Sequence, residues 1–153
     1  MLLDDIDIKL LDSLQENGRI KRNDLAEQVG LSLPSVSERL QKLENFGIIE
    51  GYYTKLNAKM LGKDISAFIF VTVDTSKHYQ SFLDHAGTVD EIIECHAITG
   101  DGSHILKIRT ENTSTLERLL GKIQAWPGVT GTKTHLVLSS SKETTKIKIS
   151  STK

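Results

Sequence analysis

The sequence predicts an α+β chain in which a helical segment of about sixty residues precedes a segment of mixed β and α character. Three observations lead there. Apolar residues recur at helical spacing as far as Phe46, the period switches to two from Ile65, and short β and helical runs then follow in the order βαββαβ up to Leu138. With 153 residues, 38% of them hydrophobic and 25% charged, the composition is that of a folded protein with room for one ordinary domain or two small ones, which excludes a large multidomain enzyme. Three parts are expected: a helical domain over 1–60 that ends in a linker strand, a βαββαβ domain over 61–138, and a tail over 139–153.

The first helix follows the acidic opening Asp4-Asp5, carries Ile6, Leu10, Leu11 and Leu14 on one face, and is expected to stop in left-handed backbone at Asn17-Gly18. Leu25, Ala26 and Val29 repeat the pattern in a shorter helix that ends at Gly30. Ser32 is placed to cap a third helix, whose first turn tolerates Pro34 because no backbone donor is needed there. That helix runs to about Phe46 and stops at Gly47. Its stripe of Val36, Leu40 and Leu43 faces the core, so Pro34, Glu38, Gln41 and Lys42 point away, with Ser35, Ser37 and Arg39 on the flanks. Ile48 to Leu56 reads as an extended connector.

In the second part, Ala67 to Val73 is apolar on both alternating sets and is expected to be covered on both faces. A helix over 76–86 turns Tyr79, Phe82, Leu83 and Ala86 inward. Strands over 91–99 and 103–110 flank a Gly100-Asp101-Gly102 turn. A helix over 113–125 halts at Pro127-Gly128, and a last strand occupies 129–138. The order βαββαβ is that of a ferredoxin-like sandwich, with both helices on one face of a four-stranded sheet. The bare face needs a cover, and a second copy of the chain is the expected one. The tail SSSKETTKIKISSTK is either frayed or a strand for a partner.

Charge is spread evenly. Residues 1–60 hold 8 Lys and Arg against 10 Asp and Glu, and 61–138 hold 7 against 9, so a nucleic-acid site has to be a local patch. No apolar run approaches the ~20 residues that span a bilayer, and the opening carries acids where a secretory signal carries lysines, so no membrane partner and a cytoplasmic location are expected. The lone Cys95 cannot form an internal disulfide and reads as a buried thiol. His78, His85, His96, His104 and His135 show no metal-ligand spacing beyond a possible reach between His96 and His104 across the hairpin, and no metal or cofactor is expected. No nucleophile elbow, phosphate loop or metalloprotease signature is present, so no catalytic residue is assigned.

Two helices joined through Gly30-Leu31-Ser32 make a helix-turn-helix whose second member could enter a major groove. Residues near the start of that helix read base edges in such motifs, which nominates Pro34, Ser35, Ser37 and Glu38, with Glu38 able to accept from cytosine N4. Arg39 and Lys42, one turn on, and Arg19, Lys21 and Arg22 at the entry to the preceding helix suit phosphates. An ordinary solvated bundle face would carry the same residues.

The ordered run Asp4, Asp7, Leu10-Leu11, Leu14, Gly18-Arg19, Leu25-Ala26, Val29-Gly30-Leu31-Ser32, Val36, Arg39, Leu43-Glu44 and Gly47-Ile48-Ile49 resembles the leucine-responsive and asparagine regulator family, Lrp/AsnC. The likeness continues through Leu61-Gly62 and Thr99-Gly100-Asp101 to about residue 138. It implies a transcription regulator with a winged-type reader of double-stranded DNA joined to a ligand-binding and oligomerising domain, assembled as homodimers and as a tetramer of dimers. Amino acids are the effectors implied, bound between dimers near the hairpin. Carried over by position, that nominates Thr99, Gly100, Asp101, Gly102, Ser103 and His104, with Val89 and Asp90 in the preceding loop. Asp101 could hold an ammonium and the glycine amides a carboxylate. The chain departs from the family where Gly102-Ser103 replaces an aromatic residue and an acid, and where Lys21 replaces a capping serine. Two other readings share the layout: an effector-independent protein that wraps DNA, and an enzyme similar to the siroheme decarboxylases with His96 and His104 at its centre.

Overall fold

The computed structural model describes residues 2–150, and the chain divides into two compact units. One holds the chain as far as Lys55 together with the segment from Lys142 on; the other is Leu56–Ser141. Among the described residues no helix is long and apolar enough to cross a membrane.

The first unit is built on α1 (Asp5–Glu16), α2 (Arg22–Val29) and α3 (Leu33–Asn45). Asp4 caps α1 through a capping box with Asp7. That helix does not end in left-handed backbone as expected: Asn17 is extended, at φ −143°, and its N–H returns to the Ser13 carbonyl. The ends of α2 and α3 do turn left-handed, at Gly30 (φ 67°) and Gly47 (φ 70°). In both, the next residue's N–H reaches back to the helix, Leu31 to the Ala26 carbonyl and Ile48 to that of Leu43, so the last turn is closed by a Schellman motif. The core is Leu10, Leu11, Leu25, Ala26, Val36, Leu40 and Leu43. The described part of the tail lies along this unit. Ile149 packs on this core, Gln15 clasps the backbone of Ile147 with both ends of its amide (2.6 and 3.0 Å), and Lys146 pairs with Glu16.

In the second unit, β1 (Ile65–Val73), α4 (Tyr79–Gly87), β2 (Ile92–Ala97), β3 (His104–Thr110), α5 (Thr113–Gln124) and β4 (Val129–Leu136) form an antiparallel sheet of order β2-β3-β1-β4. Short 3₁₀ turns, Lys59–Leu61 and Ser76–His78, precede β1 and α4. Ala67, Ile69, Val71 and Val73 of β1 with Leu106 and Ile108 of β3 bury one sheet face against Phe82 and Ala86 of α4 and Leu116, Leu119 and Ile123 of α5. Tyr79 and Leu83, expected inward on α4, are 36% and 41% exposed. Nor is β1 covered on both faces within the chain, because Phe68 and Phe70 of its second set stay half-buried and Thr72 is exposed. Cys95, read as a buried thiol, is only half-buried against the core, and that burial pushes its thiol pKa up.

Candidate functional site

The third helix is opened by Ser32, whose Oγ accepts from the Ser35 N–H at 3.4 Å and shares a 2.9 Å hydrogen bond with the Ser35 hydroxyl. Pro34 in the first turn removes one of the orphan donors of α3, and the helix presents Pro34, Glu38, Gln41 and Lys42 to solvent. Ser35 and Ser37 are half-exposed beside them. Lys42 lies 2.8 Å from Glu38, one turn away, and its hydrogen bond and charge hold the Glu38 carboxyl below its ordinary pKa. Glu38 is therefore an exposed carboxylate, paired with Lys42.

Arg39, expected on a phosphate, is engaged by two carboxylates within the chain. Its Nη1 donates to Asp4 Oδ2 and to Asp7 Oδ1, both at 2.7 Å, and so ties α3 to the capping box of α1. Asp7 is buried, and the pair holds the guanidinium charged. Arg19, Lys21 and Arg22 are exposed, without an ion-pair partner among the described residues. Lys21 makes no side-chain hydrogen bond at the N-cap of α2, leaving that place to backbone alone. Sequence reasoning missed Tyr52, whose hydroxyl donates to Glu44 at 2.9 Å. Burial and then that carboxylate push its pKa up to about 12, and the contact fixes the start of the connector on α3.

The second site lies at the hairpin. Gly100, Asp101 and Gly102 form one wall of a cavity of about 390 Å³, with Phe70 and Thr72 of β1 and Gly131, Thr132 and Lys133 of β4 opposite. Of the eight residues nominated from sequence, only those three line it. Thr99 is exposed outside it. Ser103 is spent on the sheet: its N–H and Oγ both donate to the Val71 carbonyl (2.9 and 3.2 Å), and its Oγ accepts from the Val73 N–H at 3.0 Å. His104 points to the helix side, 1% exposed, between Tyr79 and Phe82 at ring distances of 4.9 and 4.7 Å. Because the Ser103 hydroxyl proton goes to Val71, the 2.9 Å contact between His104 Nδ1 and Ser103 Oγ requires Nδ1 to carry the ring proton. Burial lowers the His104 pKa. Val89 is a core residue, and exposed Asp90 precedes β2, at the opposite end of that strand from the hairpin.

The glycine amides are also fewer than expected, since the Gly102 N–H is held by the Gly100 carbonyl at 3.0 Å. His96 and His104 do not face each other: in the register of β2 with β3, His96 pairs with Ile105 and His104 with Ala97, on opposite faces of the sheet. Among the described residues no group of three metal-ligating side chains converges.

Residues 66–147 match the Lrp/AsnC ligand-binding domain, and residues 3–50 match a winged helix-turn-helix DNA-binding domain. The chain belongs to the Lrp/AsnC family. A leucine-responsive regulatory protein of Haemophilus influenzae is 37% identical over 93% of this chain and 87% of its own. The Lrp/AsnC fold extends to solved structures. A transcriptional regulator of Neisseria meningitidis in complex with L-methionine superposes with a TM-score of 0.90 at 30% identity, covering 95% of this chain and 96% of that one. AsnC of Escherichia coli superposes with a TM-score of 0.88 at 31% identity over 95% and 99%. This Lrp/AsnC protein is accordingly a DNA-binding transcription regulator with an effector-binding domain, and its relatives are named as transcriptional regulators rather than enzymes.

Proposed function

We propose that the effector is an amino acid held in the cavity between the hairpin and strands β1 and β4, and that its binding changes the assembly in which α3 meets DNA. The observation that carries this reading is the cavity itself, walled by Gly100-Asp101-Gly102 in the domain that matches the family's ligand-binding domain. The similar regulator complexed with L-methionine supports the chemical class. Glu38, Ser35, Ser37 and Pro34 read base edges; Lys42, Arg19, Lys21 and Arg22 contact phosphates. The protein works in the cytoplasm as a homodimer, and dimers gather in fours. Phe68, Phe70 and Ile105, half-buried on the sheet face away from the helices, support a second copy as the cover of that face. A two-fold dimer sets its two reading helices about one helical turn, ~34 Å, apart on a pseudo-palindromic site.

The test is selection of bound fragments from a random DNA pool at fixed salt, with and without the twenty amino acids. A two-fold motif whose occupancy or spacing shifts with an amino acid is the expected result. A motif that never shifts, together with an unchanged sedimentation profile, refutes effector gating and leaves an architectural DNA-wrapping protein. Phe68→Glu is expected to turn the dimer into a monomer in sedimentation; a dimer that persists would remove the sheet face as the interface.

A further inference from the structure

The chain passes between its two units twice, leaving the first unit, which carries α3, after Lys55 and coming back to it at Lys142. The first crossing is a plain tether, because residues 50–57 form no helix or strand and Tyr53 and Leu56 stay 86% and 66% exposed. The second ends in a fastening. Gln15 of α1 treats Ile147 as a neighbouring strand would: its Oε1 accepts from the Ile147 N–H at 2.6 Å and its Nε2 donates to the Ile147 carbonyl at 3.0 Å. The other Nε2 proton has Asp12 Oδ1 at 3.4 Å, which keeps the amide oriented. Lys146 pairs with Glu16, and Ile149 packs on the helical core. Lys55 Nζ donates to the Glu143 carbonyl at 2.9 Å, so the first crossing is buckled to the second.

This fastening is selective and easily opened. It is selective because residues 139–153 hold 4 Lys against 1 Glu, while the α1 face that receives them carries the exposed carboxylates of Asp12 and Glu16 beside Gln15. It opens easily because only Ile149 is partly withdrawn from water. The Ile147 side chain is 71% exposed, and the ion pair and hydrogen bonds lie at the surface, where such contacts contribute little. A weak second attachment still acts strongly, since the first crossing already holds the partners at high effective concentration. We infer that residues 142–150 are a strap whose docking on α1 limits how far the first unit swings on its connector, and so fixes the half-site spacing that two α3 helices can engage at once. The inference rests on α3 as the reading element of an assembly with two reading heads. It adds the α1 face around Gln15 as a docking surface for the chain's own C-terminal segment.

The experiment measures affinity at fixed salt for DNA carrying one half-site of the motif recovered by selection, and for DNA carrying two whose separation is varied over a helical turn. Two variants are compared with the wild type. One is a chain ending at Ser141; the other is the full chain with Gln15→Ala and Glu16→Gln, which removes fastening bonds and leaves Ile149 and the helical core in place. Moving the half-sites by about 5 base pairs, half a turn, from the best separation should weaken the wild type about tenfold or more and each variant about threefold or less, with single-half-site affinity unchanged. Variant profiles that follow the wild type overturn the strap. If the chain ending at Ser141 also loses the single half-site, it has lost its core, and the double variant alone decides. Weaker binding of that chain to every fragment, with a shallower salt dependence, makes the tail a DNA-contacting arm and overturns the strap as well. If the wild type binds two half-sites no better than one at any separation, the two-headed reading and the strap fall together.

Discussion

Removing the Asp7 carboxylate should loosen the reading helix without touching DNA. Arg39 Nη1 sits 2.7 Å from both Asp4 and Asp7, whose side chains are 51% and 6% exposed, with Arg39 itself at 31%. A hydrogen bond to a charged partner contributes about 1.5–3 kcal/mol, and partial exposure of Arg39 puts this one toward the lower end. Asp7→Ala also removes the return arm of the capping box, the Asp4 N–H to Asp7 Oδ2 bond at 3.2 Å, for a few tenths more. The expected cost to the first unit is about 2 kcal/mol. Native-state hydrogen exchange at the Leu40 and Leu43 amides should then speed up about thirtyfold, while the buried amides of β1 keep their rates.

Arg39→Ala distinguishes the clamp from a phosphate contact. The clamp predicts the same faster exchange and an unchanged dependence of DNA affinity on salt; a phosphate contact predicts normal exchange and a slope of log affinity against log salt shallower by about 0.9. Normal exchange in both variants would refute the clamp. Acid adds an independent check. Asp4 has its carboxyl held below the ordinary 3.8, first by the Asp7 N–H and then by Arg39, so its contribution is fully present above pH 3.8 and is lost as pH falls through the lowered value. Asp4→Asn keeps a capping acceptor. Its deficit relative to wild type should therefore be largest above pH 3.8 and vanish in stronger acid.

Lys21→Ser should give α2 the side-chain cap it lacks, raising the stability of the first unit by about 1 kcal/mol in urea titration while reducing the salt slope by about 0.9. Glu38→Gln should change the motif recovered from a random DNA pool at the position that meets the first turns of α3; an unaltered motif would end its base-reading role. His104 is held neutral by burial, so the unfolded chain binds the extra proton first, and the second unit should lose stability as pH falls below 6.5. Thermal melts of His104→Leu should lack that slope, and a wild type whose melting is flat from pH 7 to 5 would contradict the assignment.

Much of this architecture is legible in single residues because the backbone demands them. Gly30 and Gly47 end helices in left-handed turns that other residues resist, and Ser32 opens α3 with the hydroxyl its orphan N–H needs. Asn17-Gly18 carries the same letters and no such turn, because the Asn17 N–H closes on Ser13 and the chain leaves extended. The carboxylate partners of Arg39 are hidden from the sequence for a related reason. Its place on the flank of α3 is visible in the helical period, but its partners lie more than thirty residues earlier in the chain, and only tertiary packing brings them together.

The hairpin shows where periodicity was available and where it was not. Leu106 and Ile108 mark the buried set of β3, and counting back by two puts His104 among them, so its absence from the cavity could have been read from the sequence. Lys133 could not. It faces the cavity because β4 lies beside β1 in a register that shifts at Thr72/Val73, and the alternation within β4 is too weakly apolar to reveal its faces. Gly100 and Gly131, brought together from the hairpin and the last strand, both border the cavity. A turn glycine and a strand glycine read separately signal only backbone freedom. Placed across one sheet edge with Asp101 and Lys133 beside them, they border a hollow that neither segment alone would show.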